Sequence, residues 1–330
     1  MIGTGIVAMG SPTAAGATTW KATISGKPRT SSQPFEWFAK EVAAKTGGQM
    51  KIEITYSLAD RGSAVDLLKS GAADAAWLCA AYYADKMPLA TVLELPMLAP
   101  SNIAVLGRVE LALADHPAIQ AELRKWNVKM LLPAPLPQQQ LMGTRRIAKL
   151  DDFRGAKLRV GPEMGKIFEG YGATVSHVSA TDSSAALKSG AVEVWATSYP
   201  VTFYTNKIYE SSKYVTHDIS LGGQLCYFGA SQKAWDALPA KMRAVMLGLR
   251  SPAMARYEEI YAREEASYIA AFKEKGLEFV NFNTTDRARL LAKAIKYWQL
   301  WIDEREKQGL KGREVFEFTQ AKIREYERSR

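Results

Sequence analysis

The fold is decided by KLDDFRGAKLRVGPEMGK, residues 149–166, together with ATVSHVSATDSSAALKSGAVEVWATSYPVTFY, residues 173–204. Short apolar segments alternate here with segments whose apolar residues recur at helical spacing, and turn residues separate them. The pattern predicts strands at 157–160, 174–178 and 192–196, with helices at 163–171 and 183–189 between them. Strands that alternate with helices in this way are typical of a parallel α/β sheet.

The same order of elements occurs earlier in the chain. The pattern predicts strands at 20–25, 50–55 and 74–79, with helices at 34–45 and 64–70. The segment LLKSGAAD, residues 67–74, also matches the spacing of ALKSGAVE, residues 186–193. The chain is therefore predicted to form two related α/β lobes and not an array of short repeats.

Two extended stretches are predicted to cross between the lobes. Residues 131–142 are rich in proline, and residues 225–230 are the second candidate. From about residue 240 the pattern is helical, and the longest predicted helices are 257–275 and 286–307.

Composition places the chain among globular proteins. Of its 330 residues, 47% are apolar and 23% are charged, which is enough for two lobes with separate cores. No run approaches the roughly 18 apolar residues that a membrane-spanning helix needs. The net charge is +9, but basic and acidic residues are interspersed and no nucleic-acid motif occurs. Nucleic acid is therefore not expected as a partner, although a basic surface can steer anionic ligands.

Residues 1–17 are predicted to be a leader. The segment is small and apolar, lacks a basic start, and contains Ala15-Gly16-Ala17, which resembles a signal cleavage site. We interpret it as the end of a secretory signal; the alternative is a leader without a targeting role. Export would place Cys79 and Cys226 in an oxidising compartment, where they could pair or stay free. The histidines lack the spacing of metal ligands, and no cofactor is expected.

Two motifs carry a resemblance to a known family: DFRGAKLRV, residues 152–160, and ALKSGAVE, residues 186–193. The chain resembles the solute-binding proteins of TRAP transporters, the DctP-type family, whose counterparts read D-L-K-G-x-K-I-R-V and A-L-x-x-G-x-V-D. The resemblance implies an α/β fold: a two-lobe, periplasmic-binding-protein-like clamshell with hinge strands and a long lobe-spanning helix. The expected bounds are 18–136 with 223–262 for lobe I, and 137–222 with 263–330 for lobe II.

The resemblance assigns the ligand's carboxylate to Arg159, near the end of its strand. A guanidinium can hold a carboxylate through two parallel hydrogen bonds. Without the resemblance, a lone arginine in a strand is more typical of a surface salt bridge. Three more family positions fall on Thr197, Gln139 and Ala180, where the family often has an asparagine, an arginine and an aromatic residue.

The opposite wall of the site is expected from the first lobe. The candidates there and at neighbouring strand ends are Leu78, Cys79, Tyr82, Asp60, Ser25 and Gln224. Aromatic residues accompany them, among them Trp195 and Tyr199, which either line the site or belong to the core. One cation among several aromatic rings favours an aryl carboxylate or an aryl 2-oxo acid. The motif LELPML, residues 93–98, is expected to turn the chain and not to bind ligand.

The function that the resemblance implies is capture of an organic acid in the periplasm and delivery to a TRAP membrane permease. The protein is expected to be a monomer. Two alternatives stay open: a binding protein of an ABC importer, which shares the gross architecture, or an enzyme on the same scaffold. For the enzyme the one candidate nucleophile is Cys79, and the sequence shows no histidine near it.

Overall fold

The computed structural model describes residues 17–57, 63–176, 178 and 182–329. The leader up to residue 16, Asp60 and Ala180 lie outside these ranges. The strands in the described residues are β1 Thr18–Ser25, β2 Met50–Ser57, β3 Ala75–Cys79, β4 Val128–Pro133, β5 Gln139–Gly143, β6 Lys157–Arg159, β7 Thr174–Ser176, β8 Val194–Ser198, β9 Tyr214–Thr216, β10 Cys226–Ser231 and β11 Glu278–Val280.

Helices surround these strands on both sides. Their bounds are α1 Gln33–Lys45, α2 Ala64–Ser70, α3 Ile103–Ala114, α4 Pro117–Arg124, α5 Pro162–Glu169, α6 Ser183–Lys188, α7 Val201–Thr205, α8 Gln232–Asp236, α9 Ala240–Gly248, α10 Arg250–Glu274, α11 Thr284–Lys307 and α12 Gly312–Arg328. Among the helices of the described ranges, none combines the length and the apolar character that crossing a bilayer requires.

The first sheet has the strand order β2-β1-β3-β10-β4. Trp20, Ala22 and Ile24 of β1 are buried and alternate with more exposed residues, so one face of this strand meets the core. Both β3 and β10 are buried at every residue, which is typical of strands covered on both faces. Helix α1 covers the sheet, and the ring of Phe35 stacks on that of Phe228 in β10 with centroids 3.4 Å apart.

The second sheet has the order β11-β9-β5-β8-β6-β7. Its β8-β6-β7 end is parallel, since β6 pairs with both β7 and β8 in that sense. Strand β5 runs antiparallel to its neighbours, as β10 does in the first sheet. The chain passes from β4 of the first sheet to β5 of the second, and from β9 of the second sheet to β10 of the first. Both sheets therefore contain parallel and antiparallel pairs.

Two connections join the sheets, residues 134–138 between β4 and β5 and residues 217–225 between β9 and β10. They run side by side: Gln139 N–H donates to the Gly222 carbonyl and Leu221 N–H donates to the Gln139 carbonyl, both at 2.9 Å. The first lies inside the stretch predicted at 131–142. The second was predicted at 225–230, but most of that stretch belongs to the fully buried strand β10, and the connection comes before it.

Helix α10 spans both lobes. Tyr257 and Tyr261 pack in the core of the first sheet, and Phe272, about three turns after Tyr261, packs with Trp195 in the core of the second. The predicted lobe-spanning helix is confirmed, and it begins at Arg250 instead of residue 257.

Helix α11 bridges the lobes in the opposite direction. Its first half packs in the core of the second sheet, and its second half, with Trp301 and Ile302, packs in that of the first. Helix α12 then lies against α3. Two long helices therefore cross between the lobes besides the two strand connections, and the exact domain bounds stay a proposal.

Candidate functional site

Two connected cavities lie between the sheets. One, which we call the Arg29 cavity, contacts Arg29 and Trp77 from the first lobe. The other, the Glu94 cavity, extends to Glu94. Both are lined by Tyr82, Arg159 and Gln224, so they are parts of one cleft.

Arg159 is the last residue of β6 and reaches the cleft from the second lobe. Its Nε donates to the carbonyl of Val178 at 3.1 Å, and its guanidinium carbon lies 4.8 Å from the ring centroid of Trp195. Trp195 is opposite Arg159 in the β6–β8 register and is fully buried. The ring and the carbonyl fix the orientation of the guanidinium, and its terminal nitrogens have no hydrogen-bond partner among the described residues. These nitrogens can therefore bind an anion.

A second guanidinium, that of Arg29, lines the same cleft. It follows β1 in the loop GKPRTSS, residues 26–32. Its Nη1 donates to the carbonyls of Ser25 at 2.9 Å and Lys27 at 3.2 Å, and its guanidinium carbon lies 4.9 Å from the Trp77 centroid. The expectation of a single cation was wrong. The available signal was an arginine directly after the carboxyl end of a parallel strand, where ligands commonly bind.

Cys79 and Cys226 form a disulfide on the wall of the Arg29 cavity. They are directly opposite each other in the antiparallel pair β3–β10, with their Cα atoms 3.9 Å apart. Neighbouring strands bring such pairs close enough to bond. The question that the sequence left open is thereby answered, and Cys79 is not available as a free nucleophile.

The structure brings about half of the predicted site residues into the cleft. They are Arg159, Thr197, Gln139, Cys79, Tyr82 and Gln224. Gln139 is held by its own amide, which donates to the Gly223 carbonyl at 2.9 Å. That these six residues contact the ligand stays a prediction.

Four predicted residues lie elsewhere. Leu78 packs in the core, because neighbours along a strand face opposite sides and Trp77 and Cys79 face the cavity. Trp195 lies beneath Arg159 and is not exposed to the cleft. Tyr199 lines a different cavity behind the connections, where burial raises its pKa to about 12. Ser25 acts through its carbonyl, which positions Arg29.

Several cleft residues were not predicted from the sequence. Helix α7 and the residue after it contribute Thr202, Thr205 and Asn206, and the segment before α1 contributes Ser31. Glu94 was assigned to a turn only, yet its side chain lines the cleft. The first three follow β8 closely, so their position beyond a strand's carboxyl end was the usable signal.

Two α/β lobes, two adjacent strand connections and a cation-lined cleft between the lobes define a two-lobed solute-binding protein. The family model described as "Bacterial extracellular solute-binding protein, family 7", DctP, matches residues 22–304. The chain belongs to this family, and the resemblance inferred from its motifs is confirmed. It is accordingly a binding protein and not an enzyme.

Solved structures of TRAP solute-binding proteins share the fold. A marine metagenome protein specific for aromatic acid ligands, in complex with 3-hydroxybenzoate, is 19% identical, with a TM-score of 0.83 over 94% of this chain and 99% of that one. A protein from Rhodoferax ferrireducens T118 with copurified benzoate is 17% identical, with a TM-score of 0.83 over 95% and 99%. A Bordetella pertussis receptor that binds pyroglutamic acid is 19% identical, with a TM-score of 0.79 over 92% and 100%. No curated protein matches the chain.

Proposed function

We propose that this protein captures an organic monocarboxylate in the cleft between its lobes, with an aryl carboxylate or a 2-oxo acid as the favoured ligand. The observation that carries the proposal is Arg159, which lines the cleft and is held in place by its Nε hydrogen bond and its contact with the Trp195 ring. A fixed guanidinium binds a carboxylate with little loss of side-chain entropy.

Arg29 strengthens the attraction for an anion. Its guanidinium lines the same cavity from the opposite lobe, so an acid bound between the two arginines would contact both lobes. A ligand that contacts both lobes favours the closed state over the open one, since only the closed state offers both sets of contacts. The two adjacent connections, 134–138 and 217–225, are the segments about which such closure would occur.

The ligand class rests on the balance of charge and aromatic surface. Trp77 and Tyr82 give the cleft apolar surface beside its cations, and such rings favour aromatic partners. The similar proteins from the marine metagenome and from Rhodoferax were solved with 3-hydroxybenzoate and benzoate, which are acids of this class.

Delivery to a membrane permease of the TRAP type follows from the family. A soluble receptor in the periplasm that binds as a monomer is the arrangement we propose. The disulfide supports an oxidising compartment, because disulfides persist in the bacterial periplasm and are rare in the cytosol.

The proposal is tested by a thermal-shift screen of organic acids that includes benzoate, 3-hydroxybenzoate, benzoylformate and pyroglutamate. A ligand present at 100 times its Kd stabilises the folded state by about 2.7 kcal/mol, which raises the melting temperature. Hits are measured by calorimetry, and scattering with saturating ligand should then show a smaller radius of gyration. A screen in which no organic acid raises the melting temperature would reject the proposal, and unchanged scattering profiles would reject closure.

A further inference from the structure

Glu94 is a buried carboxyl group that has no ion-pair partner within 4.0 Å among the described residues. It belongs to the LELPML motif, its side chain lines the Glu94 cavity, and the residue is only 4% exposed. The N–H of Ala81 donates to its carboxyl group, but Oε1 has no hydrogen-bond partner among the described residues. A buried polar atom without a hydrogen-bond partner destabilises the folded state. A ligand that forms a hydrogen bond with Oε1 would explain why such an atom is present.

The surroundings of Glu94 disfavour a negative charge there. Burial raises the pKa of Glu94 to about 8, and the nearby carboxylate of Glu163 adds to the rise, while the Ala81 hydrogen bond and the Arg159 guanidinium oppose it. Glu163 forms a buried ion pair with Arg305, at 3.0 Å, and contacts Lys166 at 3.1 Å. Arg159 and Tyr82 are the other ionisable residues that line this cavity. Glu94 is therefore a neutral acid near pH 7.

We propose that Glu94 donates a hydrogen bond from its carboxyl O–H to an oxygen of the acid that Arg159 holds, and so selects acids with an acceptor oxygen near the carboxylate. This inference rests on the proposed function and names a specificity residue for it. The two side chains line one cavity, which places a cation and a neutral donor along the same ligand. A site built to donate a hydrogen bond discriminates strongly against analogues that lack the acceptor.

The geometry also makes binding depend on pH. When Glu94 loses its proton it ceases to donate, and it places a negative charge beside a bound anion. By linkage the bound acid raises the proton affinity of Glu94, so binding takes up protons and weakens as pH rises above about 8. The affinity should fall by up to about tenfold for each pH unit in that range.

The experiment is calorimetry of the full chain with benzoylformate and phenylacetate, which differ by the 2-oxo oxygen, between pH 6.5 and 9.5. Wild type should bind benzoylformate at least about tenfold more tightly than phenylacetate, and its affinity should fall at high pH. Glu94→Gln should bind with an affinity that no longer changes with pH. Glu94→Met, which cannot donate, should lose the preference for benzoylformate.

Glu110→Gln is the matched control, because Glu110 is another fully buried glutamate of the first lobe that lies outside both cavities. It should keep the wild-type pH profile of binding. Titrations of wild type at pH 8 in buffers of different ionisation enthalpy should show proton uptake, a readout that needs no variant.

The outcomes separate the two proposals. Binding of these acids by wild type with no pH dependence and no proton uptake overturns the role of Glu94 and leaves carboxylate capture standing. A pH dependence that persists in Glu94→Gln overturns it as well. If wild type binds neither acid at any pH, the role of Glu94 fails, while the thermal-shift screen decides whether the proposed function stands.

Discussion

At the scale of single residues, the cleft combines two arginines with different supports. Arg159 is held by a backbone carbonyl and by the face of Trp195, whereas Arg29 is held by the carbonyls of Ser25, at the end of β1, and of Lys27, in its own loop. Loop residues adjust more readily than residues at the end of a strand. We therefore propose Arg159 as the anchor and Arg29 as the cation that can follow the ligand as the lobes approach.

Arg159→Ala should weaken binding of an organic acid by about 2–5 kcal/mol, the range for truncating one partner of a buried charge pair. Arg159→Lys keeps the charge but not the paired donors, so its affinity should lie between those of wild type and Arg159→Ala. Arg154→Ala is the control, since Arg154 is an exposed arginine in the turn before β6. Calorimetry decides the matter, and equal affinities for Arg159→Ala and Arg154→Ala would show that the anchor is elsewhere.

At the scale of elements, the sequence predicted the regular parts of the fold closely. Helix α2 has the predicted bounds, and β1, β2 and β6 each agree to within about two residues at either end, because their apolar spacing and flanking glycines are local signals. The side chains of the cleft were harder to predict. Arg29 lies in an irregular loop, and its side chain is positioned by a hydrogen bond to the backbone carbonyl of Ser25. Tyr199, the residue after β8, lines a different cavity.

Strand β5 provides a sharp test of strand pairing in the second sheet. A Cβ atom on Gly143 would collide with the backbone carbonyl of Glu193 in the paired strand, and backbone cannot move aside cheaply. Gly143→Ala should destabilise the protein by about 1–3 kcal/mol, as overpacking does. Gly248→Ala, at the end of α9 with open space around it, should be neutral or slightly stabilising. Denaturant titration measures both, and equal stability of the two variants would contradict this account of β5.

At the scale of the whole molecule, buried carboxyl groups connect stability to pH. Burial raises the pKa of Glu94 to about 8, that of Glu122 to about 7 and that of Glu110 well above its ordinary value. The folded protein then keeps protons that the unfolded chain releases above about pH 4.5, so these groups make stability fall as pH rises toward their folded pKa values.

The melting temperature of wild type should therefore fall between pH 6.5 and pH 8.5, and that of Glu110→Gln should fall less. Glu110 suits this test because neither of its carboxyl oxygens has a hydrogen-bond partner among the described residues, so the amide loses no contact. Each such group contributes up to about 1.4 kcal/mol per pH unit. Parallel pH profiles for the two proteins would mean that Glu110 is not held neutral.

The strand order of the first sheet has a consequence for biosynthesis. Strand β10 inserts between β3 and β4, yet every residue of β5 to β9 is synthesised before it. Until residue 231 has left the ribosome, β3 and β4 each expose an unpaired edge, and such edges invite aggregation. A nascent chain of this design stays incompletely folded through two thirds of its translation, the condition in which a polypeptide can be threaded through a secretion pore.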